Sequence, residues 1–165
     1  MFEQVDRTSN EQLLGRVLVV DDELEIRSML ARHLLSTGYK TIVAEDGQQA
    51  LELLTHHPVD VVIADITMPR MSGLVLLQRI REHFPGCRVL VMTGRLSEDT
   101  LIEAMRHGAD GCLLKPLVDM NLLDQAVERA IRARAAWQNC LTEVRGRAQR
   151  LQVEPFRERP KLRSA

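Results

Sequence analysis

Cysteine is scarce in this chain and never paired: Cys87, Cys112 and Cys140 are odd in number, widely spaced and outside any CxxC motif. That argues against a disulfide framework or a zinc site and fits a reducing cytoplasm. No apolar run approaches the ~20 residues needed to span a bilayer. The opening MFEQVDRTSNEQ lacks the basic and apolar blocks of a signal peptide. A cytoplasmic protein with no membrane segment is therefore expected. Aromatic residues are scarce as well, and the arginine-rich stretch 145–163 contains only Phe156. With no recognition helix evident, nucleic-acid binding through that stretch is a minor alternative to a solvated or protein-contacting tail.

What the chain does contain is enough for one domain and an appendage: 165 residues, 45% hydrophobic and 27% charged. The net charge of −1 hides an asymmetry. Residues 1–128 hold 12 basic and 20 acidic side chains, whereas 129–165 hold 10 basic and 3 acidic. Short apolar runs at 17–20, 40–44, 59–64, 88–93 and 111–115 read as strands. Amphipathic stretches near 24–36, 47–55, 72–83 and 98–107 alternate with them, and a longer one starts near Asp119. Turn signals such as STGYK, EDGQQ and RHGADG separate the segments. Five βα units in a row predict an α/β fold, a doubly wound five-stranded parallel sheet. Any site then lies at the carboxyl ends of the strands.

Those ends carry chemistry. Strand 1 runs into Asp21 and Asp22, strand 3 into Asp65, strand 4 into Thr93 and strand 5 into Lys115. Each has a bland reading: a helix cap, a turn carboxylate, a strand-end hydroxyl, a snorkelling lysine. Their convergence is what matters. Three crowded carboxylates need a cation. Oxygen donors without His or Cys select Mg²⁺ or Mn²⁺. Asp65 could then attack a phosphorus atom in line, with the metal, Lys115 and Thr93 compensating the equatorial oxygens. Gly94 would leave room for the incoming group. The five histidines show no metal-ligand setting, and Met29, Met92 and Met105 fall at apolar-periodic positions expected in the core.

The motifs VLVVDDE, DVVIADITMPRMSG, VLVMTG and GADGCLLKP together resemble the receiver domain of two-component response regulators, over about residues 15–132. The resemblance implies a flavodoxin-like strand order 2-1-3-4-5. It implies a phosphoacceptor at Asp65, loaded by a histidine kinase or phosphotransfer protein. Asp21 and Asp22 match the metal-binding acidic pair, and Thr67 the position whose backbone carbonyl also reaches the metal. Thr93 and Lys115 match the switch hydroxyl and the phosphate-contacting lysine, and a cis Lys115–Pro116 bond is implied. Thr67 and Arg95 would flank the path of the hydrolytic water. One position departs: the family usually has Tyr or Phe three residues before the lysine, and here stands Cys112. A thiol cannot sweep between buried and exposed positions as a ring does. An aspartate-based phosphatase would use similar groups but needs an acid two positions after the nucleophile, where this chain has Thr67. A switch rather than a multiple-turnover enzyme is expected; a phosphorylation-independent adaptor is the other alternative.

The last helix outruns its domain. Leu123, Val127, Ala130, Trp137, Leu141, Val144, Ala148 and Leu151 follow an alternating four-and-three spacing, with Arg134 in the one missing place. The organisation expected is a polar lead-in (1–14), the receiver-like domain (15–132), a helical extension able to pair as a coiled coil (133–153) and a basic flexible tail (154–165). A homodimer through the extension is expected, with Gly146 as a possible break. The output partner is unknown.

Overall fold

The structure, a computed structural model, describes residues 14–95 and 97–150, without the side chains of Ala148 and Arg150. The expected lead-in up to residue 13, the tail 154–165 and Leu151 lie outside the described residues. Strands and helices alternate: β1 (Arg16–Val20), α1 (Leu24–Ser36), β2 (Lys40–Ala44), α2 (Gly47–His56), β3 (Val61–Asp65), α3 (Gly73–His83), β4 (Arg88–Thr93), α4 (Glu98–Arg106), β5 (Gly111–Leu114) and α5 (Met120–Arg150). The five strands form one parallel sheet in the order β2-β1-β3-β4-β5. This is the doubly wound, flavodoxin-like arrangement expected from the sequence. The third strand begins two residues later than its apolar run and takes in Asp65.

Both faces of the sheet are buried, which is why its central strands read as unbroken apolar runs. Alternate residues serve opposite layers. Val17, Val19, Val61 and Ile63 pack under α1 and α5, against Leu30, Leu34, Leu123, Val127 and Ala130. Leu18, Val20, Val62 and Ala64 pack under α2, α3 and α4, against Leu54, Leu76, Leu77, Ile80 and Ala104. Polar residues fix where the helices start. Asp46 accepts from Gln49 N–H at 2.8 Å, Ser72 from Val75 N–H at 3.3 Å and Ser97 from Thr100 N–H at 3.2 Å.

Two expectations need correction. Met92 is fully buried, but Met105 is 68% exposed. Only Ala104 of the short α4 is buried, so that helix lays too narrow a face on the sheet to cover Met105. Arg134 is not a passive gap in an apolar seam. Its guanidinium pairs with Asp60 and donates from Nε to Gly86 O at 3.0 Å, while Arg88 donates to Ala133 O at 3.3 Å. These bonds clamp α5 to the amino-terminal edge of β3 and β4. Beyond the clamp the helix runs on through Gly146 to Arg150 without a break. Trp137, Leu141 and Val144 there are 64%, 50% and 59% exposed.

Candidate functional site

Register brings the acidic side chains together. Val20 lies opposite Ala64 in the β1–β3 pair, so Asp21 and Asp65, one step further along, leave the sheet as neighbours. Single ligand oxygens of Asp21, Asp22 and Asp65 lie within 4.8 Å of one another, with Asp21 and Asp65 buried and Asp22 exposed. The cluster therefore opens to solvent on the Asp22 side. Asp22 is no helix cap, since the N-cap position of α1 falls on Glu23 and makes no side-chain bond. Instead Asp21 Oδ1 accepts from Glu23 N–H at 2.9 Å, which fixes the carboxylate.

Lys115 arrives from the other side of the sheet. Thr93 pairs with Leu114, Lys115 N–H donates to Thr93 O at 2.9 Å, and the Lys115–Pro116 bond is cis. Its ammonium lies 2.7 Å from Asp21 Oδ2 and 3.1 Å from Asp65 Oδ2, with Glu23 Oε1 at 3.4 Å. Asp21 Oδ2 is sealed from solvent and has no directed hydrogen bond. The contact with Lys115 is thus a close ion pair out of hydrogen-bond alignment. A buried, incompletely satisfied carboxylate oxygen beside two more carboxylates, with no nitrogen or sulfur donor, fits a hard divalent cation.

Charge placement shifts both members of the pair. Burial is the largest influence on Asp65 and raises its pKa; Lys115 and the Thr67 N–H pull it down, and Asp21 adds to the rise. Burial also works against the Lys115 ammonium, but Asp21 and Asp65 outweigh it and the lysine rises. Lys115 is therefore a secure cation, and Asp65 holds a proton to higher pH than a free aspartate.

The remaining expected residues surround this centre, and Thr67 joins it through a backbone bond. Thr67 donates its N–H to Asp65 Oδ1 at 3.3 Å. Thr93 is buried at the end of β4, yet its hydroxyl is engaged with its own loop. It donates to Arg95 O at 2.8 Å and accepts from Arg95 N–H at 3.1 Å. A Cβ at Gly94 would meet nothing nearer than Lys115 Cβ, at 4.0 Å, so space is open there. Cys112 is half-buried and packs toward the α2–α4 layer. It lines a cleft of about 390 Å³ along the β5 edge with Leu114, Val118 and Leu122.

Glu23, the third acid of VLVVDDE, and two residues with no clear signal in the sequence complete the surroundings of the site. Glu23 reaches Lys115. Arg27, one turn into α1, donates to Asp21 O at 2.6 Å. Gly73 sits so close behind Asp65 that a Cβ there would lie 2.2 Å from Asp65 O.

Residues 17–128 match the model of the response regulator receiver domain. The chain belongs to that family. This receiver is 41% identical over 118 residues to the Regulator of RpoS of Escherichia coli (strain K12), covering 71% of this chain and 35% of that protein. It is 37% identical over 118 residues to the regulatory protein AtoC of the same organism, covering 72% and 25%. The chain thus spans about a third of the first relative and a quarter of the second. Among solved structures, chemotaxis protein CheY4 of Vibrio cholerae superposes with a TM-score of 0.67 at 31% identity, over 70% of this chain and 98% of that one. The response regulator TrrA of Thermotoga maritima, in complex with Mg(2+)-BeF, gives 0.64 at 31% identity over the same shares. Among the described residues, no helix of this receiver is long and apolar enough to cross a membrane.

Proposed function

We propose that this receiver is the Mg²⁺-dependent phosphoacceptor of a cytoplasmic two-component phosphorelay, loaded on Asp65 by a phosphohistidine of a kinase or phosphotransfer protein. Lys115 carries the reading: its ammonium lies within 3.1 Å of both Asp21 and Asp65, at the open end of a three-carboxylate cluster. A carboxylate oxygen of Asp65 forms the new O–P bond as the P–N bond to the donor imidazole breaks, and the imidazole keeps the electron pair. Lys115 compensates charge on one equatorial phosphoryl oxygen. The Thr93 hydroxyl meets another by giving up its bond to Arg95 O, so loading the site rearranges the β4–α4 loop. Asp21, Asp22, Asp65 and the Thr67 carbonyl would hold Mg²⁺, which when bound supplies positive charge to the transferring group. The same end state makes the protein a switch and not a multiple-turnover catalyst.

The test uses a purified kinase domain carrying labelled phosphohistidine. Label should pass to this chain at one equivalent or less and then decay. Many turnovers on a generic phosphate ester would instead make it a phosphatase and sink the switch reading.

Output passes, in the same reading, through α5, with the protein a homodimer along its projecting half. Trp137, Leu141 and Val144 are at least half exposed. Full burial of such a side chain is worth about 1.5–3 kcal/mol. Six of them in two copies, roughly half of that each, approach the ~4–15 kcal/mol cost of association. A micromolar dimer, about −8 kcal/mol, therefore needs contacts from the rest of the projecting helix beyond these six side chains. Sedimentation of the full chain against one ending at Arg134 checks it; two monomers at micromolar concentration would refute the pairing.

A further inference from the structure

We infer that the second copy pairs with the projecting half of α5 in the antiparallel sense, placing the two receivers at opposite ends of the helix pair. This rests on the homodimer proposed above and adds its orientation. Seven residues turn a helix through nearly two full turns, so Leu141 stands almost directly below Arg134. Arg134 points at the receiver's own base, where it holds Asp60 and Gly86. Leu123, Val127 and Ala130 face the sheet from the same stripe. The exposed Trp137, Leu141 and Val144 therefore look into the space directly beneath their own receiver.

A helix that covers them occupies that space. Continued upward, its axis would enter the sheet, because helix pairs sit about 8–10 Å apart and α5 covers its sheet at a similar distance. A parallel partner has to continue upward, since its own receiver lies at that end. An antiparallel partner does not. With Leu141 opposite Val144 of the second copy, residue 137 lies level with residue 148, and residue 135 with residue 150. The paired segment of one copy then closes at the base of the other's receiver.

Charge favours the same choice. Residues 1–128 carry a net −8 and residues 129–165 a net +7. Antiparallel pairing turns Arg145 and Arg147 of each copy toward the acidic receiver of the other. It sets Arg145 and Arg147 opposite residues 140 and 138, Cys140 and Gln138. Parallel pairing would hold the two copies' Arg145 and Arg147 level with each other.

The experiment is a spin-label distance in the full-length chain, with Gln125→Cys as the labelled site and Cys112 and Cys140 replaced by serine. Gln125 is exposed on the receiver portion of α5 and makes no part of the acidic site. Sedimentation of the labelled protein is run alongside. The antiparallel pair puts the two labels about 50 Å apart along the axis, from ~1.5 Å per residue. A dimer with a distance above about 40 Å supports the inference. A dimer with a shorter distance overturns the orientation and leaves the dimer standing. A monomer at all accessible concentrations overturns both.

Discussion

Replacing Gly73 by alanine should disable the site without touching any group that does chemistry. The added Cβ would lie 2.2 Å from Asp65 O, 2.8 Å from Asp65 C and 2.9 Å from the Cα of Ile66. All three are backbone atoms, and Gly73 N–H already donates to Ile66 O at 3.0 Å. No rotamer change relieves the clash, so either the start of α3 or the end of β3 has to move by roughly 1 Å to reach an ordinary contact. Overpacking of this kind costs about 1–3 kcal/mol, a fall in Tm of roughly 2–12 °C for a domain of this size. A displacement of ~1 Å at a reacting atom costs on the order of 100-fold in rate. Phosphorylation by a small phosphodonor, followed by intact mass against time, measures that loss directly. Gly94→Ala is the control, since its Cβ meets nothing within 4 Å except Lys115 Cβ at that limit, and its stability should stay within ~0.5 kcal/mol of the parent. If Gly73→Ala melts with the parent and is phosphorylated within threefold of its rate, the close-approach reasoning is wrong.

Other consequences are open to simple assays. An aromatic disulfide reagent at pH 8 should titrate the exposed Cys140 at once and leave Cys87, buried and pushed up to about 12 chiefly by desolvation, silent until unfolding; a fast reaction of Cys87 in the folded chain would contradict its burial. Asp46 is held below its usual value first by the Gln49 N–H and then by Arg70. Its contribution is therefore present above the unfolded value near 4 and lost as pH falls through the folded one. Asp46→Ala should cost about 1 kcal/mol at pH 7, and its gap from the parent in urea melts should narrow below about pH 4; a constant gap would mean that the carboxylate does not act. Arg134→Ala should raise amide exchange in residues 133–145 while leaving β1–β3 protected, because it removes the bonds to Asp60 and Gly86; unchanged exchange would show the clamp to be idle. Arg95→Ala should shorten the life of the acyl phosphate, since its long side chain is proposed to shield the phosphoryl group from water; an equal or longer life would refute shielding.

Much of the fold and of the site is legible in the sequence. Each strand was a short apolar run bounded by Gly, Pro or Asp, and five alternations leave little freedom in how such a sheet winds. Asp21, Asp65, Thr93 and Lys115 stood out because parallel strands deliver their last residues to one edge. Other features have no periodic signature. Gly73 approaches Asp65 backbone to backbone, and nothing in MSGLV announces a 2.2 Å proximity. Arg134 falls in step with an apolar seam, but its length lets it reach Asp60 and Gly86 at the receiver's base, and spacing alone does not distinguish a clamp from a gap. Met105 had helical spacing yet lies on a helix that buries only Ala104. Spacing shows which residues share a face, and not how much of that face is covered. The engagement of Thr93 with the Arg95 backbone depends on loop conformation, which residue types there do not dictate.

The most direct test of the phosphoacceptor assignment is intact mass spectrometry of the full chain after incubation with a small phosphodonor and Mg²⁺, with Asp65→Asn and an EDTA-treated sample beside it. The chemistry of Asp65, Lys115 and the Asp21–Asp22 pair predicts a single added phosphoryl group in the parent chain, and none in the variant or without the metal. A phosphoryl group that persists in Asp65→Asn, or that forms in full under EDTA, would contradict it.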